Sequence, residues 1–156
     1  MSRSNALETL TDLAREARDK AGQLLASERK NERQILAHQD MLMNYRQEYA
    51  VQLQQLMMDG IDPVTLHNYR QFLMSLDDSI QKASQALQQQ SKRVDLSKQH
   101  WQTEQRKLTS YSTLNERRAQ QERTLVARKE QRQNDEFTTN QVARKSSLHL
   151  VGSDEN

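Results

Sequence analysis

The sequence predicts an all-α protein in which two long helices form an antiparallel coiled-coil hairpin, with the second helix overhanging the first. The 156 residues include one proline and three glycines, and Gly60 and Pro63 lie almost side by side. The long flanks on both sides are rich in Gln, Ala, Leu, Glu, Lys and Arg, a mixture that favours helix. Only 34% of the residues are hydrophobic and 28% are charged, which suits a narrow two-helix seam better than a wide core.

The predicted turn between the helices occupies residues 59–62. Gly60 suits the left-handed conformation just past a helix end, where a side chain would be strained. Asp62 can cap the next helix, and Pro63 fits its first position because no backbone donor is needed there. Asn5, at capping-box spacing from a glutamate, predicts the start of the first helix. The predicted divisions are helices over about 6–58 and 63–141, one coiled-coil domain over 1–145 and a flexible C-terminal tail over 146–156.

Apolar residues recur every seven positions along both predicted helices, in two rungs per helix that are three residues apart. This spacing is that of a coiled-coil seam. An antiparallel register that sets Leu24 opposite Trp101 and Tyr45 opposite Ile80 gives dense packing along the seam. The apolar pattern of the second helix fails at Asn115, Arg118 and Glu122. This register places Leu7, at the start of the first helix, opposite Arg118, so residues after about 118 have no partner helix. The rungs start at Leu7, Leu10, Leu66 and Tyr69.

Polar residues interrupt the middle of the predicted seam, where Glu28 would face Ser97 and Ile35 would face Gln90. Buried polar groups in a coiled coil commonly fix its register at a cost in stability. Register specification or local looseness is one interpretation of this pattern, and a functional hinge is the other.

Residues for catalysis or metal binding are missing or scattered. The chain has no cysteine, which excludes thiolate metal sites, and its four histidines lack the spacing of a helical metal pair. There is no phosphate loop, and a two-helix hairpin offers no enclosed pocket for catalysis. We therefore expect no enzymatic activity, no cofactor and no metal. No apolar run approaches the roughly 20 residues that span a bilayer, and the N-terminus lacks a signal peptide, which predicts a cytoplasmic protein without membrane insertion.

Aromatic and methionine residues concentrate near the predicted turn. Leu42, Tyr45 and Tyr49 follow one another along the first helix, and Phe72 and Leu76 approach them from the second. Such a surface is typical of adaptable protein-binding patches. The alternative is that these residues only widen the seam near the turn.

The predicted overhang is basic but interrupted by acids, since residues 117–145 contain eight Lys or Arg and four Asp or Glu. A basic helix can follow phosphates, but the interspersed acids and the single aromatic, Phe137, argue against nucleic-acid binding. Leu125, Val126 and Phe137 are too sparse for a membrane-surface helix. A solvated helical extension and a polar shaft inserted into a protein ring or groove both stay open.

Several motifs resemble the flagellar FliJ family, in one frame from about residue 6 to residue 101. Each motif alone is weak because helical sequences resemble one another easily, but their joint order and spacing argue against chance. The motifs are Ala6-Leu7-Glu8-Thr9-Leu10, Asp12-Leu13-Ala14, Met41-Leu42 with Tyr45, Glu48-Tyr49 and Leu53, Asn68-Tyr69 with Gln71-Phe72, and Lys92 through Asp95-Leu96 followed by Trp101.

The resemblance implies a non-enzymatic component of the flagellar type III protein export apparatus, similar to the central stalk of rotary ATPases. Such proteins insert into and stimulate the hexameric export ATPase, contact the linker of the membrane export gate, and bind export chaperones. The resemblance also implies peripheral association with the cytoplasmic face of the inner membrane at the flagellar base, and a role in flagellum biogenesis, motility and chemotaxis.

The family's gate-binding surface corresponds to one set of residues in this chain: Leu42, Tyr45, Tyr49, Phe72 and Leu76. The family has a glutamine and a histidine in that surface where this chain has His38 and Ala83.

The polar open end of the hairpin is the predicted contact with the ATPase ring, because interspersed charges favour on-rate and orientation over raw affinity. Arg117, Arg118 and Arg123 are the predicted ring contacts. A monomer is expected in isolation. The alternative function is a coiled-coil cargo chaperone or scaffold with no ATPase contact.

Overall fold

A computed structural model describes residues 2–151 of the chain. It contains two α-helices, α1 (Ser2–Asp59) and α2 (Pro63–Val151), which run antiparallel and pack against each other. Across the described residues there is no strand. The predicted fold class, an all-α hairpin of two long helices, is therefore confirmed.

The turn between the helices contains the predicted glycine and capping residue. Gly60 adopts a φ of +94°, in the left-handed region that favours glycine. The Asp62 carboxylate accepts hydrogen bonds from the Thr65 backbone N–H at 3.3 Å and from the Thr65 hydroxyl at 2.6 Å. The Leu66 N–H donates to the Asp62 carbonyl at 3.1 Å. Asp62 thus satisfies donors that the first turn of α2 would otherwise leave unpaired.

α1 begins earlier than predicted, at Ser2 rather than near residue 6. Asn5 lies inside the helix instead of capping it, and its carbonyl accepts a hydrogen bond from the Thr9 hydroxyl at 2.8 Å. The first turn has a partner on α2, because Nη1 of Arg118 donates to the Arg3 carbonyl at 3.1 Å. This contact with α2 accounts for the additional helical residues.

α2 ends later than predicted, at Val151 rather than near residue 141. The stretch 146–151, predicted to be a flexible tail, is helical, and residues 152–156 lie outside the described part of the chain. The sequence has no glycine or proline between Pro63 and Gly152, so it contains neither of the strong helix breakers over this length.

The chain divides into two compact units, whereas the sequence predicted one domain over residues 1–145. The hairpin unit comprises residues 12–108. The terminal unit comprises residues 1–11 and 109–156, of which the structure describes 2–11 and 109–151. A two-helix seam has no central core, since each layer of side chains contacts only its neighbours along the seam. No common core therefore joins the whole length into one unit.

The seam of the hairpin unit is narrow and made largely of small and aliphatic side chains. Its first rung on α1 lies where the sequence predicts, since Ala14 and Ala21 are buried. The second rung lies one residue later than predicted, because Leu25 is 8% exposed whereas Leu24 is 49% exposed. The buried residues of this unit are Ala14, Ala21, Leu25, Leu53, Leu76, Ala83, Gln90, Ser97 and Leu108.

The Trp101 ring accounts for the position of the second rung. Gly22 lies against this ring, and a Cβ atom at Gly22 would lie 3.3 Å from Trp101 Nε1 and 3.4 Å from Cδ1. The predicted pairing of Leu24 with Trp101 is therefore wrong, because the indole occupies the space that the glycine leaves open. Leu24 turns towards solvent, and so does Tyr45, three heptads further along α1.

A polar layer crosses the middle of this seam. The buried Gln90 donates through Nε2 to the Glu28 carbonyl at 2.9 Å and to the Glu28 carboxylate. Glu28 was predicted to face Ser97, so its partner lies one heptad nearer the turn. A shift of the helices would leave the buried amide without these acceptors, at a cost in free energy. The bonds therefore favour register specification over a hinge.

The Asp62 cap makes the stability of the hairpin depend on pH. The hydrogen bond from the Thr65 hydroxyl, followed by that from the Thr65 N–H, lowers the pKa of Asp62. A lowered pKa gives stability that is present above the ordinary aspartate value of about 4 and is lost as the pH falls through the lower folded value. Thermal unfolding of Asp62→Asn, followed by circular dichroism, should therefore differ from the wild type at neutral pH and converge with it in acid. Asp59→Asn is the matched control, and a pH-independent difference for Asp62→Asn would contradict the prediction.

Substitution of Gly22 should displace Trp101. The Cβ atom of Gly22→Leu meets the indole too closely, and overpacking of this kind typically costs about 1–3 kcal/mol. Because Trp101 is the only tryptophan, its fluorescence reports directly on this contact. We expect a red-shifted emission maximum and a lower Tm for Gly22→Leu, and neither change for the exposed neighbour Gln23→Leu. An unchanged emission with a raised Tm would show that helix propensity alone governs this position.

Candidate protein-interaction surfaces

Three aromatic rings meet on one side of the hairpin unit. The Tyr49 ring lies 4.5 Å from the Phe72 ring and 6.3 Å from the Tyr69 ring between centroids, with interplanar angles of 55° and 53°. Tilted pairs at these distances contribute about 0.5–1.5 kcal/mol beyond the area they bury. Phe72 is nevertheless 42% exposed. The contact therefore holds a large apolar ring in place at the surface.

α1 extends this aromatic surface away from the turn. Tyr45 lies one turn before Tyr49 and is 46% exposed, and Leu42 lies one turn before Tyr45 and is half-buried. Spacings of three and four residues place these side chains on one helix face. Leu42, Tyr45, Tyr49 and Phe72 are called the aromatic surface below.

Leu76 has a different position from the other predicted gate-binding residues. It is buried in the seam, only 8% exposed, and so cannot be a principal contact for another protein. Leu76 falls on a rung of α2, as the seven-residue spacing from Tyr69 predicts. Its burial agrees with that rung and leaves little of the side chain for the gate contact that was also predicted for it.

A shallow groove along the hairpin unit was not predicted from the sequence. Its floor contains an ion pair between the guanidinium of Arg46 on α1 and the carboxylate of Asp77 on α2. The hydrogen bond that Arg46 donates to Asp77, together with the negative charge of Asp77, raises the pKa of Arg46. The sequence signal for this groove was the pair of apolar residues Met43 and Val51. Whether their side chains face solvent depends on the rotation of α1 about its own axis. The groove is lined by Met43, Arg46, Gln47, Ala50, Val51, Gln54, Asp77 and Ile80.

His38 and Ala83, where the resemblance implies a glutamine and a histidine, both line a second shallow groove in the hairpin unit. His38 is exposed and Ala83 is buried. Ala83 removes side-chain volume from α2 at this point, so the groove is open there. The two departures from the family pattern therefore affect one place on the surface.

The three predicted ring-contact arginines lie in the terminal unit, but their surroundings differ. Arg118 is half-buried and donates to the Arg3 carbonyl, so it holds the start of α1. Arg117 is exposed. Arg123 is also exposed, and its Nε donates to the Ala119 carbonyl of its own helix at 3.3 Å. Arg117 and Arg123 can therefore contact a partner, whereas Arg118 has a structural role in this unit.

A second contact in the terminal unit joins the beginning of α1 to α2. The Asn115 Nδ2 donates to the Thr11 hydroxyl at 2.9 Å, and that hydroxyl donates to the Leu7 carbonyl at 2.8 Å. Thr11 is buried. Beyond Arg118, every described residue of α2 from 119 to 151 is exposed. This part of α2 presents charged and polar side chains over most of its surface.

Nothing in the described residues resembles a metal or catalytic centre. No group of three or more His, Cys, Asp or Glu residues is placed to hold a metal ion between residues 2 and 151. Over the same residues, neither helix has a stretch long and apolar enough to cross a membrane.

Comparison with known proteins identifies relatives over nearly the whole chain. The family model described as flagellar FliJ protein matches residues 3–147. The flagellar FliJ proteins of Salmonella typhi and of Escherichia coli (strain K12) are each 32% identical to this chain over 145 residues, covering 93% of this chain and 99% of the relative. A solved structure of a protein described as a YscO homologue, from Chlamydia trachomatis, superposes with a TM-score of 0.75. At 13% identity, with 97% of this chain and 94% of that chain covered, it shows the likeness of fold alone.

Proposed function

Because this chain belongs to the flagellar FliJ family and is a component of flagellar type III export, we propose that it is the non-enzymatic stalk of the export ATPase. In this proposal its terminal unit inserts into the hexameric ATPase and stimulates it, and its hairpin unit contacts the linker of the export gate. The observation that carries the proposal is that the exposed Arg117 and Arg123 lie in the terminal unit, whereas the aromatic surface lies in the hairpin unit. One chain then offers two partners two chemically different surfaces.

The composition of the terminal unit supports contact with a ring of ATPase subunits. From residue 119 to residue 151, α2 is exposed on all sides, and basic and acidic side chains alternate along it. Charged contacts of this kind are exchangeable and act mainly on association rate and orientation. A single asymmetric helix within a ring of like subunits contacts some of them more closely than others, and so can bias their closure. The proposed contacts are Arg117 and Arg123, within broader regions of residues 1–25 and about 105–140.

The aromatic surface supports contact with the linker of the export gate. Interface anchors are commonly aromatic residues that pack into a partner and exclude water. Tyr49 and Phe72 are held in a fixed arrangement by their mutual contact, so little conformational entropy is lost when a partner covers them. Tyr45 and Leu42 lengthen the same surface along α1.

Export chaperones are the third proposed class of partner, and the groove beside the Arg46–Asp77 ion pair suits them. Met43 is 47% exposed and Val51 is 55% exposed there. Methionine adapts to partners of different shape, which suits a surface that binds several chaperones in turn. With its partners at the flagellar base, the protein would lie at the cytoplasmic face of the inner membrane without entering the bilayer.

Charge reversal in the terminal unit tests the ATPase contact. Arg117→Glu with Arg123→Glu should reduce stimulation of the hexameric export ATPase several-fold at moderate salt, because both arginines are exposed and available. The matched control is Lys92→Glu with Arg93→Glu, which reverses the same number of exposed charges in the hairpin unit. Arg118→Glu is to be examined separately, since it also breaks the Arg3 contact.

Full stimulation by the Arg117 and Arg123 double variant, and by a chain lacking residues 119–156, would mean that the ring grips the protein elsewhere. No stimulation by the wild-type chain would instead favour a cargo chaperone or scaffold without ATPase contact. Circular dichroism of each variant shows whether the helices are intact.

Truncation of the aromatic surface tests the gate contact. Tyr45→Ala and Phe72→Ala should each weaken binding of the gate linker by about 1–3 kcal/mol, the range of an interface anchor. Met58→Ala, at a residue that is 81% exposed near the turn, is the matched control. Leu76→Ala should lower the Tm, because that side chain is buried in the seam. Binding that survives combined Tyr49→Ala and Phe72→Ala, with helicity retained, would rule out this surface.

A further inference from the structure

The exposed part of α2 beyond Arg118 has apolar side chains at a regular spacing along one face, called the stripe below. Val126, Phe137 and Leu148 are each separated by eleven residues and are 56%, 65% and 73% exposed. At about 100° per residue, eleven residues return to nearly the same side of a helix, so these side chains share one face. Asn115, eleven residues before Val126, is the residue that contacts Thr11. The stripe thus continues the face of α2 that packs against α1 in the terminal unit.

The residues on this face follow a palindromic pattern. Starting at Val126, successive steps of 4, 3, 4, 4, 3 and 4 residues reach Leu148 by way of Phe137 at the centre. Residues at equal distances on the two sides of Phe137 match in kind: first two amides, then two opposite charges, then two aliphatic residues. The matching pairs are Gln133 with Gln141, Glu130 with Arg144, and Val126 with Leu148.

We propose that this face binds the same face of a second copy of this chain, antiparallel, with Phe137 at the two-fold axis. Such an interface is self-complementary, so every contact away from the axis is made twice. Val126 then packs against Leu148 of the second copy, and Glu130 pairs with Arg144 of the second copy. Charge selects this orientation, since a parallel pair in register would place like charges side by side.

The charged side chains of the stripe are available for this pairing. Within residues 2–151 no ion pair involves Glu130 or Arg144, and both side chains are exposed. A membrane surface is a poorer occupant, because only three of the large apolar residues in these 23 positions lie on this face, which makes the apolar face too narrow. An unrelated helix would have the complementary order of charges only by coincidence. A second copy of this chain has it because the pattern is symmetric about Phe137.

The exposed length of α2 also fits the pairing. A pair centred on Phe137 overlaps residues 123–151 of both copies, and all of these residues are exposed. The overlap begins beyond Arg118, where α2 holds the start of α1, so α1 does not obstruct it. Three apolar layers form a small interface, and we therefore expect reversible association that increases with protein concentration. This association departs from the monomer expected in isolation, and it applies to the chain outside the ATPase ring, because the same part of α2 is proposed to enter the ring.

Sedimentation velocity of the full chain over a range of concentrations tests the pairing. We expect a concentration-dependent dimer, and Phe137→Asp should weaken it by at least about ten-fold. Thr139→Asp, on the opposite side of α2, should leave it unchanged. A chain that stays monomeric at every concentration overturns the proposal.

A charge exchange tests the register. Glu130→Arg alone and Arg144→Glu alone should each weaken the dimer, and the two together should restore it, because the exchanged charges again face each other. The double variant keeps the net charge of the wild type. Failure of the double variant to regain affinity over both single variants contradicts the proposed pairing.

Cross-linking tests the direction, and the absence of cysteine from the chain makes it simple to interpret. Gln133→Cys mixed with Gln141→Cys should give a disulfide-linked dimer. Each variant alone should give little, since its two thiols would be eight residues, or about 12 Å, apart along the helix axis. Efficient linkage of either variant to itself would indicate a parallel pair and overturn the proposal. The test uses the isolated chain, so its outcome does not depend on the proposed ATPase or gate contacts.

Discussion

The contact between Trp101 and Gly22 fixes the rotation of α1 about its own axis, and the exposed surface of the hairpin unit follows from that rotation. The indole lies against Gly22, where a Cβ atom would be only 3.3 Å from its Nε1, so the absence of a side chain favours this face of α1 towards α2. With Gly22 in that position, Leu25 and Leu53 enter the seam while Leu24 and Tyr45 face solvent. A rotation by one residue would bury Tyr45 and remove it from the aromatic surface. A glycine that costs helix stability of about 1 kcal/mol relative to alanine therefore determines which residues another protein can reach.

The parts of this structure that the sequence predicts are those that depend on local chemistry. The turn at Gly60, the Asp62 cap and the first rung at Ala14 and Ala21 follow from conformational preference and a seven-residue repeat. The second rung does not, because steps of three and four residues both fit the repeat and leucine occupies positions 24 and 25 alike.

The same limit applies to the candidate sites. Phe72 could be identified as an exposed aromatic residue because it lies beside a rung, and Leu76 as a seam residue because it lies on one. The exposure of Tyr45, which was placed opposite Ile80, and the use of Arg118 by Arg3 depend on tertiary contacts. A heptad pattern gives the face on which a residue lies and not the atom that it meets. The Arg46–Asp77 pair was missed for this reason, since its two residues are far apart in sequence and only the rotation of α1 brings them together.

The hydrogen bonds at the turn and between the two helices imply an order in which the molecule forms. Sequence separation grows steadily along these bonds: 3 residues for Asp62 and Thr65, 31 for Arg46 and Asp77, 62 for Glu28 and Gln90, 87 for Arg18 and Gln105, and 115 for Arg3 and Arg118. Closing a long loop in one step costs more entropy than closing it in short increments from an existing turn. Zippering from Gly60 towards the termini is therefore the least costly route. Opening by the reverse route frees the start of α1 from α2 first, while the aromatic rings near the turn stay together until the end.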